Sequence, residues 1–453
     1  MSDTIASDNQ TAVLGLGVTG RSCVRYLVAR GQPCDVFDTG ISEAAAAAFR
    51  RDHPGVRLFD GPFDSARLSG YRRLLISPGI ALDQPAIQAA LAAGAKLVSD
   101  IDLARAEIQC PVIGITGSNG KTTVTTLVGL MARRAGLRAA VVGNIGEPVL
   151  DALLSGERYD VYVIELSSFQ LERSAPLGAR AATILNVSPD HMDRYANLLS
   201  YQQAKQAIYR ACEVAVFNRD DKLTSPLLGV GQQSISFGSG PPDLNAYGLV
   251  TEGQAVYLAR GSARLLDCRE MKIHGSHNQL NALAALALGE ALALPQDAML
   301  AVLREFPGVS HRCQWVAEHR GVRFFDDSKA TNVGATLAAL RGLSQRPGDV
   351  VLIAGGVGKG ADFAPLLEGV GALKALVLLG EAAAQIAAVF QGRIDVVRVG
   401  GMAEAVKAAA ALATTGDIVL LAPACASFDM YADYAARGDD FARQVALHLG
   451  EVG

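Results

Sequence analysis

The sequence predicts an α/β fold of three domains, each built on a mostly parallel sheet. The chain has 453 residues, which at roughly 150 residues per domain gives about three domains. Short runs rich in Val, Ile and Leu end in glycine-containing turns and lead into Ala/Leu-rich segments with helical spacing, which is typical of repeated strand–helix units. Glycine is abundant at 47 residues while aromatic residues make up 6%, and this balance favours α/β domains with tight turns.

The strand-like runs form three groups along the chain. The first contains TAVLGLG, CDVFD and RLLISPG; the second contains PVIGITG, RAAVVGN, DVYVIELS and AATILNVS; the third contains VVLIAGG, ALVLLG, IDVVRVG and IVLLAPA. Because these runs are continuously apolar, we expect doubly wound sheets buried on both faces. Boundaries near Ser99 and Pro307-Gly308 give domains of residues 1–99, 100–308 and 309–453. We interpret the Gly/Ser/Pro-rich segment from about 225 to 273 as a small antiparallel appendage to the middle domain.

Composition excludes several classes of protein. Lys+Arg (41) nearly balances Asp+Glu (45), so the net charge of −4 provides no basic surface for nucleic acid or an anionic membrane. Apolar stretches are interrupted by Gly or Glu before they reach the roughly 18–20 residues of a membrane span. The seven cysteines are scattered without a CxxC pair, which favours reduced thiols over disulfides or a zinc site. The first ten residues lack the features of a signal peptide, so we expect a cytoplasmic protein.

The strongest local motif is TGSNGKTT, residues 116–123, between a strand-like run and a helical one. This is the context of a phosphate-binding loop, in which backbone N–H groups surround phosphate, Lys121 contacts the β- and γ-phosphates and a hydroxyl ligates Mg²⁺. It departs from a strict Walker A motif, because Ile115 occupies the position of the first glycine. A glycine-rich turn with an incidental lysine is the alternative. GKTT at a strand–helix junction favours nucleoside triphosphate binding.

Two further polar segments follow strands that are expected beside this loop. Glu165 directly follows DVYVI and is the candidate carboxylate for Mg²⁺. His191 lies in the segment 186–193 after TILNV, at the sheet edge where open α/β sheets bind ligands. Taken alone, His191 is better explained as a capping or packing residue. Beside a phosphate loop and Glu165, metal binding is at least as good an explanation.

The flanking domains carry their own candidate sites. Gly15-Leu16-Gly17-Val18-Thr19-Gly20 follows a strand, and Asp38 ends the next one. Taken literally this pattern predicts NAD, although the physical argument supports only an anionic ligand at a helix N-terminus. In the last domain DDSKATN, GGVGKG and PACASFD each lie just beyond a strand-like run, so they predict a polar site on one sheet edge. For DDSKATN alone, a helix N-cap with a salt bridge is the alternative.

These motifs, together with ELSSFQLE, NVSPDHMDRY, SHNQLNAL and the Ser310-His311-Arg312 turn, resemble the Mur ligases. That family forms amide bonds with ATP during peptidoglycan precursor synthesis. The resemblance implies a UDP-binding Rossmann-like N-terminal domain, a central P-loop ATPase domain, and a Rossmann-like C-terminal domain that binds the incoming amino acid and closes on ATP. Within the family, ELSSFQLE, DHMDRY and PACASFD imply addition of D-glutamate to UDP-N-acetylmuramoyl-L-alanine through an acyl phosphate. Another Mur-type ligase, a folylpolyglutamate synthase-type ligase and, more remotely, a nucleotide-gated binding protein remain as alternatives.

The resemblance also implies roles for individual residues. The implied catalytic residues are Lys121, Glu165, His191 and Lys205, and the implied ligands of two Mg²⁺ ions are Thr122, Glu165, His191 and a carbamylated Lys205. ATP would be bound by Gly117, Asn119, Gly120, Lys121, Thr122, Thr123, Asn278, Asn281, His311, Arg312, Asp327 and Lys329. The UDP-sugar would contact Gly15, Gly17, Thr19, Gly20, Asp38, Thr39, Ser77, Gly79 and Asn144, and D-glutamate would contact Thr331, Lys359, Ser427 and Phe428.

At Lys205 the implied role differs from what the residues alone suggest, and at Gly40 the sequence departs from the family's pattern. Without the resemblance, Lys205 is predicted to be a solvated lysine on a helix; carbamylation instead requires an uncharged amine, which burial favours. Gly40 follows Asp38-Thr39 where some relatives carry Arg, so any cationic contact to the nucleotide there either comes from elsewhere or is absent. We expect the protein to act as a monomer.

Overall fold

The computed structural model describes residues 10–273, 275–344 and 348–450. The prediction that no signal peptide is present concerns residues that, except for Gln10, lie outside this range. Three β-sheets follow one another along the chain, of five, nine and six strands. The predicted fold, three α/β units on mostly parallel sheets, is confirmed.

The first sheet is entirely parallel, with the strand order β3-β2-β1-β4-β5. Its strands are β1 (Thr11–Leu14), β2 (Asp35–Asp38), β3 (Arg57–Asp60), β4 (Arg73–Ile76) and β5 (Lys96–Val98). Its helices are α1 (Val18–Ala29), α2 (Glu43–Asp52), α3 (Ser65–Leu68) and α4 (Pro85–Ala92). The strand order reverses between β1 and β4, and a ligand crevice is expected outside the carboxyl ends of those two strands.

Helix α5 (Asp100–Glu107) connects the first sheet to the second. The Ser99 side chain accepts a hydrogen bond from the backbone of Asp102, and the Asp102 side chain accepts one from the backbone of Ser99. This reciprocal capping box fixes where the helix begins. The predicted domain boundaries at 99 and 308 remain predictions.

The second sheet has the order β14-β13-β12-β11-β10-β9-β6-β8-β7. Its strands are β6 (Val112–Thr116), β7 (Ala139–Gly143), β8 (Val161–Glu165), β9 (Ala181–Ile184), β10 (Val214–Asn218), β11 (Gln233–Phe237), β12 (Ala246–Glu252), β13 (Ala255–Arg260) and β14 (Ala263–Asp267). Its helices are α6 (Lys121–Arg134), α7 (Val149–Leu154), α8 (Ser168–Leu171), α9 (Leu198–Gln206), α10 (Ser276–Ala291) and α11 (Gln296–Glu305).

The predicted antiparallel appendage at about 225–273 is only partly correct. Strand β11 pairs parallel with β10, and β12 pairs parallel with β11, so both extend the central sheet. Only β13 and β14 add antiparallel pairs. The segment joins the sheet because Phe237, Tyr247 and Leu258 are buried in the same core as α10.

The third sheet has the order β15-β16-β20-β17-β18-β19, and only β15 runs antiparallel to its neighbour. Its strands are β15 (Gln314–His319), β16 (Val322–Asp326), β17 (Val350–Ala354), β18 (Leu373–Leu378), β19 (Asp395–Arg398) and β20 (Ile418–Leu421). Its helices are α12 (Val333–Leu343), α13 (Ala383–Val389), α14 (Met402–Leu412) and α15 (Tyr434–Leu449). Across the three described ranges, no helix combines the length and apolar character needed to cross a membrane.

Candidate functional site

The loop Gly117–Gly120, here called the phosphate loop, joins the buried strand β6 to helix α6. Gly120 is the N-cap of α6 with a φ of 83°. A Cβ atom there would lie 2.4 Å from Oδ1 of Asn281, so both conformation and space require glycine. The first N–H groups of a helix lack intrahelical partners, and they suit an anionic ligand such as phosphate.

Lys121 folds back over this loop. Its Nζ donates to the carbonyl oxygens of Gly117 at 2.8 Å and Ser118 at 3.0 Å. Burial lowers the pKa of Lys121, and the carboxylates of Glu165 and Asp190 oppose that shift. The ammonium group therefore lies against the loop on which phosphate is expected to bind.

Glu165, at the end of β8, lies beside the phosphate loop and is 1% exposed. Its Oε2 accepts a hydrogen bond of 2.9 Å from Thr122 Oγ1, and its Oε1 accepts one of 2.9 Å from Asn144 Nδ2. A hydroxyl beside a carboxylate is a hard oxygen donor set, which fits Mg²⁺. Asn144, for which the sequence predicts a contact to the UDP-sugar, orients the Glu165 carboxylate in this structure.

Lys205 lies in α9 and is 1% exposed, so the interpretation of a solvated helix lysine is wrong. Its Nζ donates to the Gly117 carbonyl at 2.9 Å and lies 4.3 Å from the centre of the Tyr201 ring. Burial, followed by the nearby charge of Lys121, holds the pKa of Lys205 well below its usual value. An amine cannot ligate Mg²⁺ with oxygen, whereas a carbamate on this nitrogen could.

His191 follows β9 on a backbone with a φ of 58°. Its ring packs edge-on against Phe169, with the ring centres 4.9 Å apart. Burial lowers the pKa of His191 to about 4, so the imidazole is neutral, the form that binds metal. No cluster of three His, Cys, Asp or Glu side chains suited to a metal occurs in the part of the chain that the structure describes. A Mg²⁺ ion at either predicted site would therefore complete its shell with phosphate, carboxylate or water oxygens.

A cavity of about 410 Å³, here called the central cavity, lies between the second and third sheets. The predicted residues that line it are Asn119, Lys121, Asn144, Glu165, His191, Lys205, Arg312, Lys329, Thr331, Lys359, Ser427 and Phe428. The structure thus brings residues predicted for ATP, metal and D-glutamate to one place.

A second cavity, of about 160 Å³, shares Asn119 with the central cavity and is also lined by Gly120. Its lining includes Asn278 and Asn281 near the start of α10, with Arg312, Asp327 and Lys329 from the third unit. Asn281 Nδ2 donates to Asn278 Oδ1 at 3.2 Å. Side-chain amides beside the apolar side chains of Leu185 and Phe237 form a pocket suited to a flat polar ring.

The third unit contributes cations and carboxylates around the loop after β16. Lys329 Nζ lies 3.7 Å from the centre of the Tyr434 ring, and burial together with Arg312 lowers the pKa of Lys329 to about 7. Burial raises the pKa of Asp327 to about 6. His311, predicted to reach ATP, pairs with Asp326, 2.6 Å from Nδ1 to Oδ2, and does not line either of the two cavities.

Direct contacts link the phosphate loop to the third unit. Asn332 Nδ2 donates to Asn119 Oδ1 at 3.2 Å and is 3.1 Å from Asp190 Oδ2. Lys359 Nζ lies 2.6 Å from Asp190 Oδ1, and the Asp190 side chain is only 9% exposed. Arg312 Nη2 donates to Thr122 Oγ1 at 2.9 Å.

Asn144 lines the central cavity, whereas the other predicted UDP-sugar residues line neither cavity and lie around the crevice between β1 and β4. Gly15 has a φ of 89°, and a Cβ at Gly20 would lie 1.8 Å from the Gly15 carbonyl oxygen. Asp38 accepts hydrogen bonds from the backbone N–H groups of Leu16 and Gly40. The Asp38 carboxylate therefore stabilises the glycine-rich turn between β1 and α1. Gly17 and Thr19 lie at the start of α1, Thr39 lies on the turn after β2, and Ser77 and Gly79 lie on the loop after β4.

Some residues of the site were missed in the sequence. Asp190 and Asn332 stand inside SPDHMDRY and DDSKATN, but their pairing across the two units depends on tertiary structure. Tyr201 precedes Lys205 by one helical turn, a spacing that places both on one face. That spacing is the one signal that could have pointed to Tyr201. Tyr434 begins α15, and nothing in the sequence links it to Lys329.

The fold and this arrangement define a P-loop ligase of three domains. Residues 9–99 match the family "Mur ligase MurD-like, N-terminal domain", residues 115–289 match "Mur ligase middle domain", and residues 311–425 match "Mur ligase, glutamate ligase domain". The UDP-N-acetylmuramate–alanine ligase of Thermotoga maritima shares the fold, with a TM-score of 0.61 and 20% identity over 98% of this chain and 100% of that chain. A pseudomurein peptide ligase type C from Methanothermus fervidus shares the fold with a TM-score of 0.60 and 19% identity, over 97% of this chain and 100% of that chain.

The chain belongs to the Mur ligase family, whose members are ATP-dependent ligases. It is 51% identical to the UDP-N-acetylmuramoylalanine–D-glutamate ligase of Pseudomonas fluorescens, over 97% of this chain and 98% of the relative. The enzyme of the same name from Pseudomonas aeruginosa is 49% identical over the same shares, and that from Nitrosococcus oceani is 48% identical over 96% of each chain.

Proposed function

We propose that this enzyme joins D-glutamate to the L-alanine carboxyl group of UDP-N-acetylmuramoyl-L-alanine, using ATP, in cytoplasmic peptidoglycan precursor synthesis. The observation that carries the proposal is the central cavity. It is lined by the lysines at the phosphate loop and by Thr331, Lys359 and Ser427 from the third unit. A phosphoryl donor and an amino acid can therefore meet in one cavity.

The reaction has two steps. A carboxylate oxygen of the L-alanine group attacks the γ-phosphorus of ATP, the bond to the ADP oxygen breaks, and an acyl phosphate forms. The amine nitrogen of D-glutamate then attacks the acyl carbon and loses a proton, and the tetrahedral species expels phosphate. Phosphoryl transfer between anions depends on positioning and charge neutralisation, which Lys121 and Lys329 supply here. No Ser or Cys nucleophile is required, because the phosphate is the leaving group.

We assign Thr122 and Glu165 to one Mg²⁺ ion, and His191 with a carbamylated Lys205 to a second. When bound, these ions neutralise the oxygens of the triphosphate and of the reacting carboxylate. The Thr122–Glu165 contact of 2.9 Å and the neutral imidazole of His191 support the assignment. Asn144 holds the Glu165 carboxylate in orientation.

Carbamylation of Lys205 forms a bond between its uncharged nitrogen and the carbon of CO₂, with loss of a proton from nitrogen. The product is an anionic carbamate. The burial of Lys205 and its position beside Lys121 support this step, because a negative charge there would pair with the Lys121 ammonium.

Substrate roles follow the three units. Residues 1–99 bind the UDP-sugar in the crevice between β1 and β4. Residues 100–308 bind ATP, with Asn278 and Asn281 beside the adenine ring. Residues 309–453 bind D-glutamate. Lys359, which pairs with Asp190 in this structure, would exchange that partner for a carboxylate of D-glutamate.

A single assay tests the proposal: ADP release from ATP with UDP-N-acetylmuramoyl-L-alanine, comparing D-glutamate with L-glutamate. We expect stimulation by the D-isomer alone and a product of matching mass. Activity with a folate substrate, or with a different amino acid, would assign the chain to another ligase of the superfamily. Absence of any amino-acid-dependent ADP release would contradict ligase activity.

A further inference from the structure

Arg173 is a buried arginine of the second unit whose hydrogen bonds go to the first unit. It follows α8 in the segment ELSSFQLER and is 6% exposed. Its Nη1 donates to the carbonyl oxygens of Ser77 at 2.7 Å and Ile76 at 3.3 Å, and its Nη2 donates to that of Ile80. These three acceptors are backbone carbonyls that surround one loop, Ser77–Ile80.

The Ser77–Ile80 loop is one wall of the crevice between β1 and β4. Ser77 Oγ donates to the Gly15 carbonyl at 3.1 Å, so the loop also holds the glycine-rich turn that forms the opposite wall. A Cβ at Gly15 would lie 2.9 Å from both Ile80 Cδ1 and Ser77 Oγ, which shows how closely the two walls approach. A small displacement of this loop therefore changes the shape of the crevice.

The charge of Arg173 also matters. Its side-chain hydrogen bonds to the described residues include no carboxylate, and burial, followed by the neighbouring Arg194, lowers its pKa to about 10. Arg194 approaches the same loop, with its Nη2 3.4 Å from the Ile80 carbonyl. The turn after β2 supplies Asp38, Thr39 and Gly40 and no cation. Arg173 and Arg194 thus bring positive charge from the second unit to this crevice.

We propose that Arg173 is a positioning residue for the nucleotide-sugar substrate: it fixes the Ser77–Ile80 loop against the second unit and places a positive charge behind the wall of the diphosphate crevice. The proposal rests on the proposed function, because it takes the UDP-sugar as the ligand of that crevice. It predicts an effect confined to one of the three substrates.

The test compares Arg173→Met and Arg173→Lys with Arg105→Lys as a matched control. Arg105 also donates to backbone carbonyls, those of Leu177, Gly178 and Ile108, but makes no hydrogen bond to the crevice. We expect R173M to raise the KM for UDP-N-acetylmuramoyl-L-alanine about tenfold, the size expected for losing charged hydrogen bonds. KM for ATP and D-glutamate and kcat should stay within about twofold, R173K should be intermediate, and R105K should match the wild type. Calorimetric binding of UDP-N-acetylmuramoyl-L-alanine without ATP should weaken by the same factor.

Other outcomes separate the two proposals. An unchanged KM for the UDP-substrate in R173M, or an equal rise in all three KM values with a lower kcat, would overturn the positioning role while leaving the ligase activity intact. If R173M does not fold, R173K decides: a selective rise in the KM for the UDP-substrate supports the role and no rise refutes it. Failure of the wild-type chain to bind UDP-N-acetylmuramoyl-L-alanine at all would instead refute the proposed function.

Discussion

Lys121 and Lys205 donate hydrogen bonds to the same acceptor, the backbone carbonyl oxygen of Gly117, at 2.8 and 2.9 Å. Two ammonium groups on one acceptor in a buried site repel each other, so the arrangement favours one charged and one uncharged amine. Lys205 is the better candidate for the uncharged amine, because it is the more deeply buried side chain of the two. A triphosphate would bring new negative charge to Lys121 and would leave Lys205 available for modification.

The first prediction concerns this pair. Lys205→Ala should lower kcat by about two orders of magnitude or more, because it removes the anionic carbamate proposed to ligate Mg²⁺ at the reacting groups. Added formate or acetate should restore part of the rate, since a small carboxylate can occupy the space of the lost carbamate. Lys205→Arg is the control: it keeps a cation, cannot form the carbamate and leaves no space for a carboxylate, so it should not recover. Full activity of Lys205→Ala would refute the carbamate.

The second prediction is a proton uptake on ATP binding. Burial and Arg312 lower the pKa of Lys329 to about 7, so a large share of the molecules carry an uncharged Lys329 at pH 7.5. Phosphate oxygens favour the ammonium form and raise that pKa, hence binding takes up protons near pH 7–8 and ATP affinity falls as the pH rises through this window. Calorimetry in buffers of different ionisation enthalpy measures the uptake. Lys329→Arg, which stays charged, should take up fewer protons than the wild type; an equal uptake would assign the proton to another group.

The third prediction separates two roles of Asn332. Its Oδ1 caps α12 by accepting from the Ala335 N–H, while its Nδ2 donates to Asn119 and Asp190 across the two units. Asn332→Ala loses both roles and should lower stability by about 1 kcal/mol through the lost cap. Asn332→Ser keeps a capping oxygen and should unfold near the wild-type temperature.

Kinetics complete that comparison. Both Asn332 variants lose the amide that links the phosphate loop to the third unit, so both should show a similar loss of kcat/KM for D-glutamate. Thermal unfolding and initial rates measured on the same preparations separate the effects. Wild-type kinetics in Asn332→Ser would show that the cross-domain amide pair has no role in the reaction.

Local sequence patterns predicted most of the fold because buried parallel strands are continuous apolar runs. The strand pairing of the segment 225–273 was harder to predict. Strand β11 (Gln233–Phe237) overlaps the run SISFG, which alternates polar and apolar residues, and this sequence does not reveal that the partner of β11 is β10. Strand pairing is a non-local choice, and here the burial of Phe237 and Tyr247 against the α10 side of the sheet decides it.

The site divides in the same way. Thr116–Thr123 is one continuous segment, so its phosphate-binding role could be predicted from the sequence. Lys205 stands among polar residues in QQAKQ, and its burial depends on α9 packing against a loop 88 residues earlier. The Asp190–Lys359 pair joins residues 169 positions apart. Contacts of this range depend on how the units pack together, and no periodicity along the chain records them.

The fourth prediction uses two glycines of one turn. A Cβ at Gly20 would lie 1.8 Å from the Gly15 carbonyl oxygen, whereas one at Gly17 meets nothing within 4 Å. Gly20→Ala should therefore destabilise the first unit by about 3 kcal/mol, the upper range for forced overpacking, because the obstacle is backbone that cannot rotate away.

Gly17→Ala is the matched control, since Gly17 has a φ of −66° that alanine adopts without strain. It should unfold at nearly the wild-type temperature. If the UDP-sugar lies along this turn, the added methyl group enters the space of the ligand, so calorimetric affinity for UDP-N-acetylmuramoyl-L-alanine should fall while affinity for ATP is unchanged. Undiminished UDP-substrate binding in Gly17→Ala would place the diphosphate away from the glycine-rich turn, and equal stability of the two variants would contradict the close packing of Gly20 on Gly15.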